Sequence, residues 1–131
     1  MNEREMKIEE ARGYLALAMH YLEVAESLFN DNEYRVTADV AYNSAELVAK
    51  GLLLFKIDEL PTSHRGIVNK FGELYVKSGE VDRKLGRKLN DGIRLRNKAR
   101  YESHAEIGDK EAEEMIRLAR TLVDQLTRKL S

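Results

Sequence analysis

Apolar residues recur every three or four positions along most of the chain, and nowhere do apolar and polar positions alternate over a strand's length. That period belongs to helices packed through one face, so a sheet is not expected. The first stretch, from about Arg4 to Phe29, places Ile8, Ala11, Leu15, Ala18, Leu22, Ala25 and Phe29 at alternating steps of three and four, which is a heptad seam. Asn30, Asp31 and Asn32 interrupt it and offer caps for a second helix, about Glu33 to Phe55. The second helix is apolar on more than one side. Val36, Val40, Leu47 and Leu54 form one stripe, and Ala41, Ala45, Val48, Leu52 and Phe55 form another. It is therefore expected to be the most buried helix of a bundle.

Ile57 to His64, with the only proline at Pro61, reads as a loop, and Thr62 or Ser63 can cap the next helix. That short third helix is predicted from about Arg65 to Lys77, with Ile67, Val68, Phe71, Leu74 and Tyr75 inward and Ser78-Gly79 ending it. A fourth runs from about Val81 to Tyr101. After a loop through Gly108, a fifth runs from about Asp109 to Leu130 on a seam of Ala112, Met115, Ile116, Ala119, Leu122, Val123 and Leu126. The expected fold is all-α: an up-and-down bundle of four long helices and a short one, a single domain over residues 1–131. Helices one, two and five span on the order of 30–40 Å each at 1.5 Å per residue. The broad seam of helix one is also a candidate for packing against a second copy.

Composition narrows the function. The chain has 131 residues, 43% of them hydrophobic and 34% charged, which suits a globular domain with one core. The absence of cysteine excludes a disulfide scaffold, an iron–sulfur cluster, a thiolate zinc site and a cysteine nucleophile, and fits a reducing compartment. No apolar run approaches a membrane span, and the acidic start, Met1 to Glu10, lacks the hydrophobic block of a signal peptide. A cytoplasmic protein without membrane attachment is expected. Three separated histidines with no Glu-x-x-His pattern argue against a metal site, and no glycine-rich phosphate loop is present, so no cofactor is expected.

A formal net charge of −1 hides one basic helix. Between Arg83 and Arg100 eight cations meet a single acid, Asp91; that window carries +7 and the remainder −8. Such a helix attracts phosphates, or else is a solvated face pairing with acids such as Glu80 or those opening helix five. On a helical wheel with Leu85 as zero, Leu89, Gly92, Ile93 and Ala99 define the inward stripe, while Arg83, Arg87, Arg94 and Lys98 fall on the opposite side. Arg96 falls at about 20°, in the middle of the inward stripe, and Arg100 at about 60°, still on it. A desolvated arginine without a partner costs several kcal/mol. Arg96 therefore either pairs with an acid of helix one or two, Glu46 for example, or lines a cleft or subunit seam.

The stretch Leu95-Arg96-Asn97-Lys98-Ala99-Arg100-Tyr101 resembles the C-terminal signature of the HEPN family (higher eukaryotes and prokaryotes nucleotide-binding). Its small stand-alone members carry an Arg-x-x-Ala-Asp-Tyr form before a helix opening with acids and alanines, here Asp109-Lys110-Glu111-Ala112-Glu113-Glu114. Upstream, Ala41-Tyr42, Lys50-Gly51-Leu52-Leu53, Pro61-Thr62-Ser63-His64-Arg65-Gly66 and Phe71-Gly72-Glu73-Leu74-Tyr75 follow the family in order and spacing. The resemblance runs from about Ala11 to Leu126. It implies a helical bundle, usually a homodimer with the arginine motifs of both copies facing one cleft. It also implies either a metal-independent endoribonuclease, often a toxin paired with a minimal nucleotidyltransferase antitoxin, or a non-catalytic module that binds nucleotide, RNA or that partner. In a nuclease, the arginine would hold the scissile phosphate and a histidine four to six residues on would move protons.

Here that histidine is absent, and the first one after Arg96 is His104, in the turn before helix five. The family's aspartate before tyrosine is Arg100, a charge reversal. The candidate catalytic residues are thus Arg96 and His104, and the candidate nucleotide- or RNA-binding residues are Arg96, Asn97, Arg100 and Tyr101. Tyr101 also reads as a core residue at a helix end. His20, on the flank of helix one, reads as a polar edge residue, and His64 as a residue that caps or orients its loop, with a role in the cleft as the alternative the family resemblance implies. A plain helical dimer in which Arg96 is merely ion-paired is the remaining class.

Overall fold

The computed structural model describes residues 1–131. Five α-helices follow in order: α1 (Glu3–Asn30), α2 (Tyr34–Leu53), α3 (His64–Phe71), α4 (Arg83–Tyr101) and α5 (Asp109–Leu130). There are no strands, as the helical period requires. No helix is long and apolar enough to cross a membrane. The third helix continues beyond α3 as a π turn, Gly72–Val76, whose wider winding shows in the Lys77 amide reaching back to the Gly72 carbonyl at 3.0 Å.

Short polar side chains start the helices. Asn2 accepts from the Glu5 amide, Ser63 from the Gly66 amide and Asp82 from the Lys84 amide, at 2.8, 2.9 and 2.8 Å. Asn32 turns the chain between α1 and α2 with φ of 62°, a left-handed conformation that asparagine tolerates.

The centre is a three-helix layer of α1, α2 and α5, with α2 most enclosed. Ala41, Ala45, Val48 and Leu52 of its second stripe are buried, whereas Val36 of its first is exposed. The seam of α1 is spent inside the protomer: Ala11, Ala18, Leu22 and Ala25 are buried. Its alanines let α2 come close enough for the Ser44 hydroxyl to donate to the Ala18 carbonyl at 2.7 Å. The seam that suggested a second copy is therefore not free to meet one. A different line on α1, Tyr14, Leu17, Tyr21, Val24 and Leu28, repeats the same three-and-four spacing on the outer face. Leu17 and Val24 there are exposed, and the other three are half-buried.

The remaining elements, α3, the π turn and α4, lie against one side of α2. Phe71 and Tyr75 stack with ring centres 5.3 Å apart, and the buried Tyr75 hydroxyl donates to the Leu52 carbonyl. Gly92 sets the approach of α4, because a β-carbon there would stand 3.1 Å from Tyr42, 3.3 Å from Met115 and 3.4 Å from Leu118. Gly92→Leu is expected to lower stability by about 1–3 kcal/mol through overpacking. Gly13→Ala, with open space around it, should leave stability unchanged or raise it; denaturant unfolding compares the two.

Candidate functional site

Arg96 leaves α4 on the inward stripe, as the wheel places it, and only 4% of it is exposed. Its partners are few. One terminal nitrogen donates to the Asn97 side-chain oxygen at 3.1 Å. Its Nε has no hydrogen-bond partner at all. The nearest carboxylate is Asp39 of α2, at 3.7 Å, and not Glu46. Asp39 is also shared: its other oxygen lies 3.6 Å from Arg100 Nε, and Asn43 donates to the carboxylate at 3.3 Å. Two guanidinium groups thus face one carboxylate at distances too long for direct hydrogen bonds. The patch keeps an excess positive charge and an unfilled buried donor, an arrangement that favours an anion.

Glu46 is unavailable to Arg96 because other donors hold it. Although only 4% exposed, it accepts from the Tyr42 hydroxyl at 3.0 Å, and its two oxygens lie 2.9 and 2.7 Å from His64 Nδ1. Tyr42 joins the two halves of the site. Burial, then Glu46, holds its phenol well above the ordinary tyrosine range, while the charges of Arg96 and Arg65 pull the other way. Asp39, Tyr42, Asn43 and Glu46 lie at helical spacing on one face of α2, so one face carries both acids, the one facing Arg96 and Arg100 and the one holding His64.

The end of α4 is held by Arg35. Its guanidinium donates to the carbonyls of Ala99 at 2.9 Å, Glu102 at 3.0 Å and Lys98 at 3.4 Å, and also to that of Ala105. A cation on the last carbonyls of a helix satisfies orphan acceptors and matches the helix dipole. Beyond this clamp Tyr101 is not a core residue: it is 70% exposed, because it falls on the outer side of α4, about 160° from Leu85 on the helical wheel, and its ring lies 5.8 Å from the Arg96 guanidinium carbon. Asn97 and Arg100 are exposed beside Arg96. His104 is exposed in the following turn and makes no hydrogen bond or ion pair. The structure therefore gathers Arg96, Asn97, Arg100 and Tyr101, and His104 makes no hydrogen bond or ion pair with any of them. His20 is exposed on α1, beside Tyr21.

The outer cations of α4, Arg83, Lys84, Arg87, Lys88, Arg94 and Lys98, form no ion pair. Glu80, a candidate partner for them, is instead bound by Lys56 and Lys129. Of the acids opening α5, Glu113 pairs with Arg117 of its own helix and Glu111 accepts from the Gly108 amide. Asp39 and Arg35 escaped sequence reasoning. Both lie near the start of α2, and their roles depend on α4 arriving from more than fifty residues away. The pairing of His64 with Glu46 had no local signal, because it joins the middle of α2 to the start of α3 across a loop.

Comparisons with known proteins agree with this frame. The family model described as the HEPN domain matches residues 11–130. Two proteins of Methanocaldococcus jannaschii are similar in sequence. One, named "Putative toxin MJ0605", is 32% identical over 122 residues, 93% of this chain and 90% of that protein. Another, named "Putative toxin MJ0142", is 32% identical over 95 residues, 72% of this chain and 64% of that protein. The fold is similar to the crystal structure of TT1696 from Thermus thermophilus, with a TM-score of 0.76 and 23% identity over 92% of this chain and 98% of that one. The matched family pattern starts at the first buried turn of α1 and stops at the last residue of α5, and on that extent this chain belongs to the HEPN domain family.

Proposed function

We propose that the chain is a HEPN toxin whose Arg96 site grips an RNA phosphodiester and promotes its cleavage without a metal ion. The observation that carries this reading is the buried Arg96 guanidinium, with an unpartnered Nε and a carboxylate no closer than 3.7 Å. A phosphate oxygen supplies what that donor lacks. Arg100 and Asn97 add donors at the rim, and Tyr101 offers an exposed aromatic face to a base or ribose. The unpaired cations along the outside of α4 extend the attraction to neighbouring phosphates. The relatives named as toxins support the toxin half of the reading. Its partner would be a minimal nucleotidyltransferase antitoxin, as the family resemblance implies. The second reading, a non-catalytic module that binds nucleotide, RNA or such a partner, is favoured by one observation: His104 stands exposed and unpartnered.

Purified protein incubated with labelled RNA in EDTA separates these readings. Cutting to 2′,3′-cyclic phosphate ends, lost in Arg96→Ala, is the expected result. Filter retention of RNA that depends on Arg96 without any cutting would instead establish the binding module.

The burial of Arg96 makes a second expectation. An apolar side chain of similar length relieves a desolvated charge, so Arg96→Met should keep or gain stability, by up to about 2 kcal/mol, while RNA retention falls. Thermal unfolding beside filter binding tests both, and a large loss of stability would mark Arg96 as a structural ion pair.

A homodimer completes the proposal. The outer line of α1, Tyr14 to Leu28, leaves Leu17 and Val24 exposed, and seams of this spacing pair helices. Leu17→Glu combined with Val24→Glu should halve the mass measured by light scattering and leave helicity unchanged.

A further inference from the structure

Cleavage through the 2′-hydroxyl needs a group to take its proton, and the one carboxylate of the Arg96 patch, Asp39, already faces two guanidinium groups that hold it in its charged form and weaken it as a base. The chain has three histidines. His20 lies on the outside of α1 and His104 has no group to orient it. His64 differs from both. Its Nδ1 sits 2.7 Å from a buried carboxylate oxygen of Glu46 and 2.9 Å from the other, while half of its side chain is exposed. A carboxylate held this way accepts the Nδ1 proton and leaves the Nε2 lone pair facing outward. Glu46 is itself fixed by the Tyr42 hydroxyl at 3.0 Å.

The loop before α3 is built to hold this imidazole still. Ser63 caps the helix on the Gly66 amide, and His64 is the first helical residue after it. A β-carbon at Gly66 would stand 2.9 Å from both Pro61 Cβ and Ser63 Oγ, so only glycine lets the turn close this tightly. The acids that mark the two ends of the site, Asp39 beside Arg96 and Glu46 beside His64, are two helical turns apart on α2, about 10 Å. Tyr42 lies between them, touching Glu46 and feeling the charges of Arg96 and Arg65. Arg65, next to His64, reaches α4 through Asn90 at 2.5 Å. The interval between Arg96 and His64 is thus spanned by the buried Tyr42, which ties the two ends of the site together.

Resting on the ribonuclease reading above, we propose that His64, positioned by Glu46, is the catalytic base of the Arg96 site. Nε2 takes the proton of the 2′-hydroxyl as O2′ forms its bond to phosphorus and the P–O5′ bond breaks. The departing 5′-oxygen takes a proton from water, and the hydroxide so formed takes the proton from the imidazolium. The products are a 2′,3′-cyclic phosphate and a 5′-hydroxyl, with no net change in charge. Glu46 touches no reacting atom and is a positioning residue.

The test compares wild type, His64→Ala and Glu46→Gln on a labelled RNA in EDTA, with filter retention of the same RNA and with imidazole added. His64→Ala should cut at least about a hundredfold more slowly, retain RNA as wild type does, and recover on addition of imidazole. Glu46→Gln should lower kcat and leave KM unchanged. His64→Ala cutting at the wild-type rate would overturn the base assignment and leave the ribonuclease reading standing. Slow cutting with lost RNA retention and no recovery in imidazole would make His64 a structural tether of α3, which also overturns it. Wild type that retains RNA and cuts none would sink the ribonuclease reading, and this assignment with it.

Discussion

Arg96 occupies a position where a helical bundle ordinarily keeps a leucine, and its guanidinium is removed from water with a shared carboxylate no closer than 3.7 Å. Burying a charge this way is unfavourable by several kcal/mol unless something meets it. The surroundings limit that cost and do not remove it. Gly92, one turn earlier, brings α4 close to Tyr42 and fixes the depth at which Arg96 enters. Arg35 holds the last turn of α4 by its carbonyls, so the arginine cannot swing out with a frayed helix end. Asp39 divides its charge between two guanidinium groups. The three-helix layer of α1, α2 and α5 supplies the stability against which this local deficit is set, and an anion at Nε is what would bring it into balance.

The polar face of α2 arranges two different chemistries at helical spacing. At Asp39 the acid is partly exposed, with its side chain 22% accessible, and cations are in excess. At Glu46 the acid is buried, and its oxygens are taken up by a phenol and an imidazole. A phosphate is suited to the first environment and a proton transfer to the second. Because both acids sit on one regular helix, their separation is set by backbone geometry and is insensitive to loops. That is the property a site needs when one group must grip a backbone while another reaches a hydroxyl.

The order and limits of the helices could be read from the sequence to within a few residues, because heptad steps and the Asn-Asp-Asn, Pro61 and Gly108 interruptions act locally. The inward position of Arg96 was equally readable, since a wheel needs only residues of one helix. The partner of Arg96 was not. Glu46 and Asp39 lie on the same face of α2, and choosing between them requires the register of α4 against α2, which Gly92 and Tyr42 determine through packing. Tyr101, read as a core residue at a helix end, is exposed, and the wheel already held the reason: at 100° per residue it falls about 160° from Leu85, on the outer side with Arg83 and Arg94. The seam of α1 was legible, but that it is spent inside the protomer was not, because a second line of the same spacing lies one residue earlier, about 100° round the helix. The π turn after Phe71 carries no residue pattern that distinguishes it from an ordinary last turn.

The helices are not equally anchored. The layer of α1, α2 and α5 is mutually enclosed, whereas α4 rests chiefly on α2, with slighter contact to α3 and α5. It commits few large side chains to the core, Leu85, Leu89 and Ile93 foremost. The cationic helix is thus the least tied of the long helices, its end fastened by Arg35. A polyanion bridging its guanidinium groups to α3 would then rigidify the molecule where it is softest, so that ligand capture and protection of the backbone from exchange become the same event.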